Sequence, residues 1–158
     1  MGLTIAEINL GAARLAISPM PGRAGDYAGD LASVLAWQPG LVITLTTGGE
    51  LAPIAPELAA DLARNGIAWR QFPITDYSIP ETGWPTLSPV IHAALAKGGR
   101  VLLHCMGGCG RSGMIALRLM VEAGEDADVA LIRLRAARPC AVETEAQRRW
   151  ASQTGQID

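Results

Sequence analysis

A chain of 158 residues fits one domain, here taken as residues 1–158, and can bury a working core without staples. Its formal charge of −2 supplies no basic field for nucleic acid or an anionic membrane surface, so neither is expected as a partner. No apolar run spans a bilayer, no secretory leader opens the chain, and three cysteines make no disulfide framework, so a cytoplasmic protein in a reducing compartment is expected.

Along the chain, residues 14–18 read as a short apolar strand, followed by a Pro-Gly-rich turn from Pro19 to about Gly25. The spacing of Tyr27, Leu31, Val34 and Leu35 predicts a helix over 26–37, stopped by Pro39-Gly40. The β-branched run 41–45 predicts a buried strand closed by Thr47-Gly48-Gly49. A helix over 57–65 is capped by Asn65-Gly66, and 67–72 is the next strand. A helix over 86–97 ends at Gly98-Gly99, and the strand 100–104 follows. Helices over 112–123, 126–137 and 143–153 finish the chain. Strands alternating with helices predict an α/β fold: a single domain whose mostly parallel central sheet is flanked by helices on both faces. Ligands bind such sheets at the carboxyl ends of the strands.

The carboxyl end of the strand 100–104 carries the chemistry. Val101-Leu102-Leu103 runs into His104-Cys105-Met106-Gly107-Gly108-Cys109-Gly110-Arg111-Ser112-Gly113 and then into a helix. Cysteine and arginine five residues apart, at a strand-to-helix turn rich in glycine, can form a phosphate cradle of inward amides and helix N-terminus. The field that attracts a phosphate dianion also favours a thiolate, so Cys105 is expected to be an anionic nucleophile near neutral pH.

This loop resembles the His-Cys-x5-Arg-Ser/Thr signature of the cysteine-dependent protein tyrosine phosphatases, with every fixed position filled. The resemblance implies a phosphatase-like P-loop between strand and helix, and hydrolysis of phosphomonoesters through a phosphocysteine on Cys105. Arg111 would grip the equatorial oxygens with its planar fork, and Ser112 would donate to the Cys105 sulfur. His104 would sit behind the loop, and Met106, Gly107, Gly108, Cys109, Gly110 and Arg111 would bind the phosphoryl group. The proton for the leaving oxygen would come from Asp76, on a segment bracketed by Pro73 and Pro80, with Glu81 in reserve. An Asx-turn role remains the structural alternative for Asp76. The stretch Arg138-Pro139-Cys140-Ala141-Val142-Glu143-Thr144 with Gln147 resembles dual-specificity and cyclin-dependent-kinase-associated phosphatases, where a polar residue helps place the hydrolytic water. Gln147 takes that role here, unless Thr144 and Glu143 merely begin the last helix.

The substrate implied is a phosphorylated protein or peptide, carrying phosphotyrosine or alternatively phosphoserine or phosphothreonine. No cofactor is implied, and no residue cluster has metal-ligand spacing. The alternatives are a noncatalytic phosphoprotein-binding module on the same cradle, or a sulfurtransferase or arsenate reductase. Arg138 is expected to approach the ligand, His92 to be a surface or half-buried packing residue, and Trp84 to pack in the core, with support of the Asp76 segment's closure as its alternative. Cys109 either packs beneath the loop or, like Cys140, pairs reversibly with Cys105 to shield it from overoxidation.

Overall fold

The computed structural model describes residues 2–153; Met1 and residues 154–158, which the single-domain reading includes, lie outside it. Five strands form one sheet in the order β1-β2-β5-β3-β4: β1 (Ala6–Leu10), β2 (Ala13–Ser18), β3 (Leu41–Thr44), β4 (Ala68–Gln71) and β5 (Arg100–His104). Strands β2, β5, β3 and β4 run parallel, while β1 pairs antiparallel with β2. This hairpin is an addition to the expected strands. Ala6 and Ile8 face the core while Glu7 and Asn9 face outward, a period-two pattern that Gly11 (φ 60°) closes with a tight turn.

The helices are α1 (Tyr27–Trp37), α2 (Gly48–Leu51), α3 (Leu58–Arg64), α4 (Trp84–Ala96), α5 (Gly110–Glu122), α6 (Ala127–Ala137) and α7 (Glu145–Ser152). Alternation along the strands divides the core in two. Ala16, Val42 and Leu102 meet Val34 of α1 and Leu58 and Leu62 of α3. Leu15, Ile17, Ile43, Val101 and Leu103 meet Ile91, Ile115, Leu119 and Leu134 on the opposite face. The sheet is thus covered on both faces, as expected, with β5 at its centre.

Two helices start earlier than their spacing predicts. Pro85 occupies the first turn of α4, where its missing N–H costs nothing, and Gly83 (φ 90°) precedes it. Helix α5 begins at Gly110, which puts Arg111 and Ser112 in its first turn. From Gly110 to Val121 it is buried along its whole length. One of its two buried cations, Arg118, donates to Glu122 Oε2 (2.8 Å) and to the Trp150 carbonyl (2.7 Å).

Glu122 ties α4 to α5. It accepts from Trp84 Nε1 (2.8 Å) and Ser88 Oγ (2.7 Å), and His92 Nε2 lies 2.9 Å away. Trp84 is therefore a core residue, and His92 is half-buried with a carboxylate partner. Burial alone would raise the Glu122 pKa, but hydrogen bonds from His92, Trp84, Arg118 and Ser88 outweigh it and pull the group down to about 2.

Cysteine usage departs from expectation. Cys109 and Cys140 form a disulfide across 31 residues, and Cys105 is free and buried. Neither pairing with Cys105 is present, and the pairing observed removes the ground on which cysteine content pointed to a reducing compartment. Among the described residues no helix is long and apolar enough to cross a membrane.

Two outcomes follow. Cys140→Ser releases the 31-residue loop, and should cost about 3 kcal/mol, or roughly 6–12 °C in Tm under non-reducing conditions. An unchanged Tm, with three titratable thiols in the native protein, would show that the bond does not form. A carboxylate held below its ordinary value stabilises the fold above pH 4.5, and that contribution fades as pH falls toward 2. Glu122→Gln should therefore flatten the loss of stability over this range in an acid titration followed by circular dichroism.

Candidate active site

The loop between β5 and α5 is organised by its carbonyl groups. The Cys105 carbonyl lies 3.2 Å from His104 Nδ1. The Met106 carbonyl accepts from Met20 N (3.0 Å), on the turn after β2. Arg138 donates from Nη2 to the Gly107 carbonyl (2.9 Å) and from Nε to the Gly108 carbonyl (3.0 Å). The Cys109 carbonyl accepts from Gly113 N (3.0 Å) and Val142 N (3.1 Å). Because a trans peptide directs its N–H opposite to its C=O, five anchored carbonyls turn the amides of residues 106–110 the other way. None of those amides donates to another group among the described residues.

Gly108 makes this path possible, with φ 72° and a backbone so close to β2 that a Cβ would lie 2.6 Å from Pro19 N. At Gly110 a Cβ would collide with the Glu143 carboxylate. Arg138 therefore braces the loop backbone instead of reaching a ligand. It shares that task with its neighbours: Cys140 is bonded to Cys109, and Val142 donates to the Cys109 carbonyl.

Cys105 lies at the base of the loop, 3 % exposed, with Sγ 3.3 Å from Ser112 Oγ. Arg111 is also buried, at 2 % exposure. Its Nη1 and Nη2 hold the two oxygens of Glu50 at 2.7 and 2.9 Å, and Nη1 also donates to the Ile74 carbonyl (2.9 Å). Arg111 Nε is buried and has no partner. The Nη edge of the fork is thus occupied by Glu50, which leaves the Nε side to meet an oxyanion.

Glu50 is a site residue that the sequence reading did not identify. It arrives through a capping box: Thr47 Oγ1 accepts from Glu50 N, while Thr47 N donates to Glu50 Oε1 (3.0 Å). The hydrogen bond from Arg111 lowers the Glu50 pKa to about 2, against the opposing effect of burial, so the pair is charged. The Thr47-x-x-Glu50 spacing was the available signal; α2 begins where Thr47-Gly48-Gly49 reads as a plain turn.

Asp76 sits on the irregular segment between Pro73 and Pro80, its side chain half exposed and Oδ1 3.4 Å from Arg111 Nη2. It also accepts from Tyr77 N (3.0 Å), so the turn-shaping contact coexists with proximity to the cradle. A pocket of about 210 Å³ is lined by Arg23, Asp76, Tyr77, Met106 and Glu143 around Cys105 and Arg111. Larger cavities of about 560 and 390 Å³ elsewhere contain no cysteine. Glu81 lines other cavities and not this one.

Gln147 is fully buried and does not line the pocket. Its Oε1 accepts from Glu143 N (2.9 Å) and Thr144 N (3.1 Å), while Nε2 donates to the Ser78 carbonyl (3.2 Å). Thr144 is the N-cap of α7, so Gln147 both completes a capping box and ties the Asp76 segment to α7. Glu143, read as a helix-start acid, reaches the pocket instead. His104 is wholly buried beside Thr44, and burial, with help from the Arg111 charge, lowers its pKa to about 4, so the ring is neutral at pH 7. Among the described residues no group of three His, Cys, Asp or Glu is gathered to hold a metal.

No protein-family model and no curated protein matches the chain. Solved structures do. Tk-PTP in its active form is 29% identical with a TM-score of 0.72, over 91% of this chain and 92% of that one. A glycine-to-alanine mutant form of Tk-PTP gives 28% and 0.75, over 92% and 91%. Kinase-associated phosphatase, with its catalytic-site cysteine changed to serine, reaches a TM-score of 0.83 at 21% identity, over 96% of this chain and 93% of its own. At that identity it speaks for the fold alone. In its fold, its filled signature and its likeness to Tk-PTP this chain is similar to the cysteine-dependent protein tyrosine phosphatases, which are phosphoric monoester hydrolases.

Proposed function

We propose that the protein removes phosphate from phosphorylated proteins or peptides through a phosphocysteine on Cys105, with Asp76 as general acid and residues 1–158 acting as one catalytic domain. The observation that carries this reading is the ring of free amides around a buried cysteine, with the unpartnered Arg111 Nε beside it. Such donors, fixed before substrate arrives, stabilise charge on equatorial phosphoryl oxygens without reorganising.

In the first step the Cys105 thiolate attacks phosphorus, the phosphorus–oxygen ester bond breaks, and Asp76 gives its proton to the departing oxygen. The amides of residues 106–110 and Arg111 hold the three equatorial oxygens. In the second step Asp76, now a carboxylate, takes a proton from water as the water attacks phosphorus. The sulfur–phosphorus bond breaks, inorganic phosphate leaves, and Ser112 donates to the sulfur as it regains its charge. Gln147 contributes by holding Ser78, and with it the segment that carries Asp76. The pocket carries no lysine on its loop, which disfavours a highly charged phosphoinositide. One fold neighbour of 14% identity was crystallised with PI(5)P, so a phosphoinositide should be assayed beside the phosphopeptides.

Cys105→Ser should bind phosphotyrosine peptides and turn none over. Binding without turnover in the unaltered protein as well would identify a noncatalytic phosphoprotein-binding module. Asp76→Asn should lose roughly 10²–10⁴-fold in kcat with alkyl phosphates and much less with para-nitrophenyl phosphate, whose oxygen leaves without help. An equal loss for both leaving groups would move the acid role away from Asp76.

A further inference from the structure

A second guanidinium in the core is held much as Arg111 is, with part of its fork unused. Arg118 is 3 % exposed. Its Nε donates to Glu122 Oε2 and its Nη1 to the Trp150 carbonyl, and its Cζ lies 4.5 Å from the centre of the Trp150 ring. These contacts fix the plane of the group. Its Nη2 has no partner among the described residues, yet it is not sealed in protein as Arg111 Nε is. The open space that Arg118 borders is the cavity of about 390 Å³ where α4, α5 and α7 meet.

Another wall of that cavity is the start of α4, where Gly83, Trp84, Pro85 and Thr86 line it. Gly83 supplies no side-chain cap and the first turn holds no acid. The Trp84 amide and the hydroxyls of Thr82 and Thr86 have no partners among the described residues. A 13-residue helix thus begins here with its positive end open. A helix start and an unused nitrogen of a buried guanidinium converge on one space, as donors set in place before anything enters.

We propose that this cavity is a second ligand site, which takes a small monocarboxylate with an apolar body. The carboxylate accepts from Arg118 Nη2 and from the open end of α4. The body rests on Pro85, Trp84 and Trp150, whose two indole rings meet edge to face at 5.5 Å. Ligand pockets span roughly 300–1,000 Å³, so the space is large enough. Charge balance selects one negative charge over two. Glu122 already offsets Arg118, and Glu81, exposed on the cavity wall, repels a dianion. Neither Cys105 nor Arg111 borders the cavity, so the inference stands apart from the reading of Cys105 as the nucleophile.

The test uses the full chain with Cys105, its one free thiol, alkylated by iodoacetamide to block the cradle, and sodium benzoate as the probe. The ¹⁵N–¹H indole signals of Trp84 and Trp150 should move saturably with benzoate while those of Trp37 and Trp69 stay. At about five times the Kd, Tm should rise by roughly 2–4 °C. Benzamide, the neutral analogue, should move neither indole, and inorganic phosphate should not displace benzoate. Thr86→Glu puts a carboxylate in the first turn of α4, where a helix tolerates it, and should weaken benzoate about tenfold. Arg118→Met combined with Glu122→Gln leaves no buried carboxylate alone and should weaken it by about tenfold or more. Thr86→Glu serves if that pair does not fold. Unmoved Trp84 and Trp150 signals overturn the proposal. An equal response to benzamide, displacement by phosphate, or unaltered benzoate affinity in Thr86→Glu overturns it as well.

Discussion

The outward anchoring of five consecutive carbonyls, Cys105 to Cys109, is the constraint on which the site depends. A glycine-rich loop left to itself would satisfy its backbone groups locally and collapse, because buried N–H and C=O groups seek partners. Here every carbonyl is taken by a donor from outside: an imidazole, the turn after β2, a guanidinium on the segment after α6, and two backbone amides. The N–H groups are left facing one point. An anion at that point completes a set of hydrogen bonds that the rest of the molecule has already arranged, so the loop need not reorganise as charge develops.

Glycine makes the curl possible and also makes it entropically expensive to hold. The segment from Arg138 to Glu143 offsets that cost. Within six residues it supplies two hydrogen bonds to loop carbonyls, a covalent bond to Cys109, an amide to the Cys109 carbonyl, and a carboxylate over Gly110. On the other side, Glu50 gives Arg111 a partner that fixes its plane. A buried ion pair of this kind adds little net stability, since desolvation consumes most of the attraction. Its consequence is directional. With the Nη edge claimed, the Nε side of the guanidinium is the part that faces an incoming oxyanion.

Much of this could be read from the chain, and the exceptions share one cause. The signature, the strand that feeds it and the proline-bracketed Asp76 segment are local patterns, and the parallel sheet followed from alternation of strand and helix. What escaped were partnerships made at a distance. Glu50 meets Arg111 across 61 residues, and nothing in Thr47-Gly48-Gly49-Glu50 says which cation its carboxylate will find. Three cysteines allow three pairings, and the reactivity expected of Cys105 drew attention to the two that include it, whereas proximity selects Cys109 and Cys140. Arg138 does lie beside the loop, but its partners are backbone carbonyls, which leave no mark in a sequence. The β1 strand is legible in its alternation, yet it is short and half polar, so its signal is weak.

The contacts of His104 show how far such a site reaches into the sheet. Thr44 opposes His104 because β3 and β5 pair in one register, and Trp69 reaches Thr44 because β4 pairs with β3 in another. A shift of one residue in either pairing would turn those side chains to the opposite face. The hydroxyl would then be lost from the imidazole that lies against the Cys105 carbonyl. Strand register therefore does more here than bury Val42 beside Leu102: it builds a line of contacts from Trp69 through Thr44 and His104 to the Cys105 carbonyl. The geometry of the loop and the packing of the core are consequences of the same pairing, so a change that disturbs one disturbs the other.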